Sequence, residues 1–166
     1  APEQQAQAQG ISAHQRGNLQ SMAYIELAQS CVCAGDIDSA APLLADALAA
    51  AEQAGPSEIG SAYQALGSYQ AYLEAPDSKM AEAHFDRARA SFFRTQEINR
   101  IADTDYLHGW YLLRTGDRPR ARQQFQSALQ LYSQRGIAYK REWVVLAQAY
   151  LKGRPAPEEC RLAVMD

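Results

Sequence analysis

Apolar positions along this chain recur at helical rather than strand spacing. Leu19, Met22, Tyr24, Leu27 and Cys31 fall near a 3.6-residue period and predict a helix from about Ser12 to Cys33. Leu43, Leu44, Ala47, Leu48 and Ala51 predict a second, about Asp38 to Ala54. Ile59, Tyr63, Leu66 and Gln70 carry a third, Ser57 to Leu73, with Ser57 as its cap. Met80, Phe85, Ala88 and Phe92 imply a long fourth, Lys79 to Arg100. A fifth holds Tyr106, Leu107, Trp110 and Leu113 and begins at Asp103 or Thr104. The sixth, Pro119 to Arg135, carries Ala121, Phe125, Ala128, Leu129 and Tyr132. The seventh, Tyr139 to Lys152, carries Trp143, Leu146, Ala147 and Tyr150. A last short helix is expected near Pro157, with Cys160, Leu162 and Val164, and residues 1–11 read as a flexible tail without an apolar stripe.

Glycine and proline punctuate these segments at Gly35-Asp36, Gly55-Pro56-Ser57, Gly116-Asp117-Arg118-Pro119, Gly136 and Gly153-Arg154-Pro155. Glycine ends a helix cheaply in the left-handed conformation, and an aspartate behind it can cap the next. Turns this short force successive helices to pack as antiparallel neighbours.

The even-numbered helices share one pattern: alanine, a large apolar residue four positions on, alanine three positions later. It occurs as Ala40-Leu44-Ala47, Ala81-Phe85-Ala88 and Ala121-Phe125-Ala128, with first alanines 41 and 40 residues apart. A period near forty signals a stacked array of supersecondary units. It divides one domain, 12–166, into units of about 12–55, 56–100, 101–136 and a partial 137–166. The odd-numbered helices carry a related pattern: Trp143, Leu146, Ala147 and Tyr150, with Tyr24, Leu27, Ala28, Cys31 and Tyr63, Leu66, Gly67, Gln70 at the same spacing. In the third unit only Gly109 and Leu112 are in register.

These residues resemble the tetratricopeptide repeat over roughly Met22 to Arg161. The period exceeds the usual 34 residues and is similar to repeats of bacterial signal-transduction ATPases, maltose-activator-type transcriptional regulators and kinesin light chains. The resemblance implies an all-α fold: a right-handed superhelical array of antiparallel helix pairs, a TPR-like α-solenoid of about three and a half repeats. Small residues on the first helix of each pair would admit the second closely. It also implies a concave groove lined by the first helices. By spacing, its partner-binding residues would be Ile25 and Gln29, then Gln64, Ser68 and Tyr72, then Tyr106, Trp110 and Arg114, and finally Arg141, Val144 and Gln148. Tyr106, Trp110 and Arg114 share one helical stripe, and aromatics beside arginine suit a partner bearing carboxylates. Packing of Tyr106 and Trp110 against the neighbouring unit is the competing reading. Gln and Ser stand where some relatives hold a peptide's terminal carboxylate with Lys and Asn, which disfavours that ligand.

Charge adds an asymmetry. Residues 1–78 hold one basic residue, Arg16, against nine acids, and residues 79–166 hold fifteen basic residues against ten. Solvated helix faces explain this, or else the basic half meets an acidic partner or the acidic half of a second copy. The overall net charge of −3 disfavours nucleic acid as a partner of this domain, and no apolar run reaches the roughly 18 residues a membrane span needs.

Candidate chemistry is sparse. No Gly-rich phosphate loop, His-Glu-x-x-His or Cys-x-x-Cys occurs. Cys31 and Cys33 would point to opposite sides of a helix, and His14, His84 and His108 are scattered. Arg118, Arg120 and Arg122 read as a solvated face. No catalytic, cofactor or metal residue is expected, so the chain is not expected to be an enzyme. The expectation is a protein- or peptide-binding scaffold. A ligand- or peptide-sensing domain of a larger bacterial regulator, or a self-association module forming a homodimer, are the alternatives. The odd cysteine count argues against a stapled secreted domain and points to the cytoplasm. A processed N-terminus would instead mean the periplasm.

Overall fold

Left-handed turns and aspartate caps delimit the helices. The computed structural model describes residues 12–152, other than the Tyr150 side chain, and Leu162. The expected tail over 1–11 and the short helix near Pro157 lie outside the described residues. The elements are α1 (Ala13–Cys33), α2 (Ile37–Ala54), α3 (Pro56–Tyr69) running into a 3-10 turn (Gln70–Tyr72), α4 (Ser78–Arg94), α5 (Ile98–Arg114), α6 (Arg118–Gln134) and α7 (Ala138–Leu151). The fold is all-α, with no strand among the described residues.

The even-numbered helices begin alike. Asp36, Asp77 and Asp117 accept from the backbone N–H groups of Ser39, Met80 and Arg120 at 3.3, 3.0 and 3.2 Å, satisfying donors that a helix start leaves orphaned. Helix α1 starts with a reciprocal capping box between Ser12 and Gln15. Helices α3, α5 and α7 have no side-chain cap. Ser57 is therefore not the cap expected. Gly55 takes that position, Pro56 opens the helix, and the Ser57 hydroxyl donates to Glu97 Oε2 at 3.0 Å.

Four turns share one geometry. Gly35, Gln96, Gly116 and Gly136 have φ of 82°, 60°, 92° and 69°. The next N–H in each, from Asp36, Glu97, Asp117 or Ile137, donates to the carbonyl five residues back at 2.8–3.0 Å. This is the Schellman ending. It corrects two expected boundaries: α4 stops at Arg94, not Arg100, and α5 starts at Ile98, not Asp103 or Thr104. The α4–α5 turn was hidden because glutamine occupies its left-handed position.

Packing follows the alanine pattern. All nine of its residues, Ala40-Leu44-Ala47, Ala81-Phe85-Ala88 and Ala121-Phe125-Ala128, have zero exposure. The facing helix supplies a small residue: a Cβ on Gly109 would lie 2.6 Å from the Phe125 ring, and one on Gly60 would lie 2.7 Å from the Phe92 ring. Each helix packs on its successor along the chain, and α1 also meets α3, α3 meets α5, and α5 meets α7. Polar ties join the odd-numbered helices across forty positions. Asn18 Nδ2 donates to Glu58 Oε1 at 2.6 Å, Ser57 Oγ to Glu97 Oε2 at 3.0 Å and Gln64 Nε2 to Thr104 Oγ1 at 2.8 Å. The sequence period is thus also a spatial one.

Among the described residues the interior gathers two apolar clusters. One gathers Ile25, Leu44, Ala65 and Tyr69 from α1 to α3. The other gathers Phe85, Leu107, Phe125 and Val144 from α4 to α7. The outermost helices keep apolar side chains in solvent: Leu19, Met22 and Leu27 on α1, and Tyr139, Val145 and Leu146 on α7.

Candidate functional site

Four of the expected groove residues come together. Ser68 ends the apolar face of α3, Tyr72 closes the 3-10 turn behind it, and Trp110 and Arg114 sit one turn apart near the end of α5. With Ala71, Leu107 and Tyr111 they line one notch. Its free space, about 10 Å³, fits a single water, so a ligand would lie over the rim rather than enter. The Arg114 guanidinium stacks over the Tyr72 ring at 4.4 Å, a cation–π contact that also bridges α3 and α5. Arg114 is exposed and Tyr72 half-buried. Ser68 Oγ is buried without a hydrogen-bond partner among the described residues, a state that native proteins normally relieve with water or a ligand.

Trp110 is both core and rim. Its ring packs edge-on against Tyr106 at 6.1 Å and Phe125 at 5.5 Å, while the residue stays half-buried on the notch.

Other expected groove positions belong to the interior. Tyr106 is 2% exposed and Gln64 fully buried. Gln64 Nε2 donates to Thr104 Oγ1 and, at 3.2 Å, to the Arg100 carbonyl, which makes Gln64 a staple between α3 and α5. Ile25 and Val144 are also buried. The physical reason is common to all four: odd-numbered helices touch each other, so the stripe that spacing assigns to a groove is partly consumed by their mutual packing. Arg141 is exposed and Gln148 half-buried on α7, outside the notch, and Gln29 is half-buried on α1.

Counting the repeat spacing from Gly109 shows what the poor fit of the third unit conceals. Asp105 stands where the other units carry an aromatic, and His108 where they carry leucine. Both are buried, and Arg89 of α4 serves both. Its Nε donates to Asp105 Oδ1 at 2.7 Å, and its Nη2 to Gln124 Oε1 and His108 Nδ1, each at 2.9 Å. Ser127 Oγ donates to Asp105 Oδ2 at 2.6 Å. Arginine only donates, so His108 Nδ1 accepts and the neutral ring carries its proton on Nε2. That atom lies 3.2 Å from Glu82 Oε1, outside hydrogen-bond geometry. Burial, then the Arg89 charge, pushes the His108 pKa down.

A second interior network escaped the sequence reading. Lys140 Nζ meets both Asp103 oxygens at 3.0 Å, and Tyr132 donates to Asp103 Oδ1 at 2.5 Å. Burial raises the Asp103 carboxyl, while the Tyr132 and Lys140 bonds favour the carboxylate. Burial and the adjacent Asp103 push the Tyr132 hydroxyl up. The only sequence signal for either network was a charged residue where a helical stripe called for an apolar one.

A wider cleft of about 630 Å³ opens between the α4–α5 turn and the start of α7. Glu97, Asn99, Arg100, Arg135, Tyr139 and Lys140 are among its lining. None of these was an expected site residue. Cys31 is a half-buried free thiol, the Cys33 sulfur meets the Gln29 amide at 3.0 Å, and among the described residues no group of three or more His, Cys, Asp or Glu side chains is placed to share a metal ion. Among the same residues no helix is long and apolar enough to cross a membrane. No family model matches the chain, and neither a curated protein nor a solved structure is significantly similar to it.

Proposed function

We propose that this chain is a TPR-like α-solenoid that binds a protein or peptide along the face of its odd-numbered helices. The observation that carries this reading is the convergence of Ser68, Tyr72, Trp110 and Arg114, from two successive units, on one surface notch. Two aromatics supply apolar area, and the exposed Arg114 supplies a fork for a carboxylate. The buried Ser68 hydroxyl, which has no hydrogen-bond partner among the described residues, lines the same notch. The work is recognition rather than chemistry, with an acidic peptide as the favoured partner.

A displayed random-peptide library panned on the wild-type chain tests this. Enriched peptides should carry Asp, Glu or a terminal carboxylate. Trp110→Ala with Arg114→Ala should weaken their binding by roughly tenfold or more, the scale of hot-spot loss. Because Trp110 also packs inward, Arg114→Ala alone is the control, with helicity followed by circular dichroism. Peptides that bind the folded Arg114→Ala protein as tightly as wild type would remove this notch from the reading.

A further inference from the structure

Asp105 and His108 break the apolar pattern of α5, and the cluster around them ties three helices together. Arg89 of α4 reaches Asp105 and His108 of α5 and Gln124 of α6. Arg120 of α6 returns to Glu82 of α4 at 2.6 Å, and Ser127 of α6 holds the second oxygen of Asp105. Asp86, exposed on α4, meets Arg89 at 3.2 Å. The charged groups around His108 are therefore Glu82, Asp86 and Arg89 from α4, Asp105 from α5 and Arg120 from α6. This arrangement suits one charge state of the imidazole. Arginine has no lone pair to offer, so the 2.9 Å contact between Arg89 Nη2 and His108 Nδ1 requires that Nδ1 carry no proton. A proton there sets donor against donor and cation against cation, in an interior that leaves His108 1% exposed. The same proton makes Glu82 the better partner, because its Oε1 lies 3.2 Å from His108 Nε2.

The cluster also touches the notch. Leu107 and Tyr111 stand on either side of His108 along α5, and both line the notch. The Phe85 ring stacks on His108 at 4.5 Å and lies 5.9 Å from the Tyr111 ring, which is itself 6.2 Å from His108. Rings packed this closely do not shift one at a time. We propose that the cluster is a pH switch for the notch: a proton on His108 drives Arg89 from Nδ1, draws the ring toward Glu82 and displaces Tyr111, so that peptide binding weakens. Burial and the Arg89 charge, which lower the His108 pKa, keep the ring neutral and the notch competent at neutral pH. The binding consequence rests on the peptide-binding reading, whereas the motion itself does not.

The full chain is titrated by NMR from about pH 7.5 to about pH 5, a range above the ordinary carboxylate values of about 4. The reporters are the His108 imidazole, the Tyr111 amide and the Trp110 indole N–H. The affinity of a library-selected acidic peptide is followed over the same range by anisotropy. The Tyr111 and Trp110 signals should move with the His108 titration at one midpoint. Below that midpoint the affinity should fall by up to about tenfold per pH unit, the limit for one proton. The His108→Asn variant, whose amide oxygen can accept from Arg89 but takes up no proton, should lose both responses. Glu82→Gln, which removes the partner of the protonated ring, should lower the midpoint, and His84→Gln should change neither response. A His108 ring that stays neutral to about pH 5, notch signals that ignore its titration, or responses that persist in folded His108→Asn overturn the proposal. If His108→Asn does not fold, an unshifted midpoint in Glu82→Gln overturns it. So does constant affinity, across the His108 titration, of a peptide that Arg114→Ala weakens. A peptide indifferent to Arg114→Ala would instead remove the notch from the peptide-binding reading, and the Tyr111 and Trp110 signals would then decide the motion.

Discussion

Asp103 and Lys140 show how much depends on a single interior partner. Their side chains are 1% and 3% exposed, so neither charge can fall back on water. Removing one partner of such a pair strands the other and costs about 3–5 kcal/mol. Lys140→Ala should destabilise the chain by that amount in urea unfolding, while Asp103→Leu with Lys140→Met should recover most of the loss. A cost below about 1 kcal/mol for Lys140→Ala would mean that solvent reaches the pair. Gln64 teaches a related lesson: a polar side chain at groove spacing instead satisfies Thr104 and a carbonyl inside. Residue type and spacing cannot separate these cases, because the deciding partner lies forty positions away.

At the scale of elements, the caps and endings were legible wherever glycine or aspartate marked them. Gly35-Asp36 and Gly116-Asp117 end one helix and cap the next. The α4–α5 turn performs the same ending with Gln96 at φ 60°, where a β-carbon costs about 1–2 kcal/mol. Glycine avoids that strain but loses more entropy on folding, so Gln96→Gly should stabilise the chain by roughly 0.5–1 kcal/mol. An upward shift of the urea midpoint with an unchanged slope would register the gain. No shift would mean that the Gln96 side chain makes compensating contacts.

At the scale of the whole molecule, the buried His108 and the half-buried His84 couple stability to pH. Burial first, then Arg89 for His108 and Arg87 for His84, lowers both pKa values below the ordinary 6.5. The remaining groups around His108 are Glu82, which favours its protonation, and Arg120, which opposes it. The unfolded chain takes up protons first as pH falls, so stability is full above about pH 6.5 and declines through the folded-state values below it. Unfolding free energy should fall between about pH 7 and pH 5, by up to about 1.4 kcal/mol per pH unit for each proton. The His108→Gln variant should show a shallower decline. An identical slope in the two proteins would mean that His108 already protonates freely in the folded state.

Periodicity alone determined that the chain is helical, where most helices run, and that Ala40, Leu44, Ala47 and their counterparts are interior. Those outcomes depend on contacts within and between adjacent helices, which spacing of three and four residues encodes directly. Tertiary structure decided which stripe of each odd-numbered helix stays open. Contacts across forty positions buried Tyr106 and Gln64 and left Tyr72, Trp110 and Arg114 at the surface. It also decided that Asp105 and His108, which looked like blemishes in the repeat, are satisfied by Arg89. Leu162, 133 residues from its Gln29 partner, carried an apolar signal but none for its location, since no pattern along a chain announces where a distant residue will land.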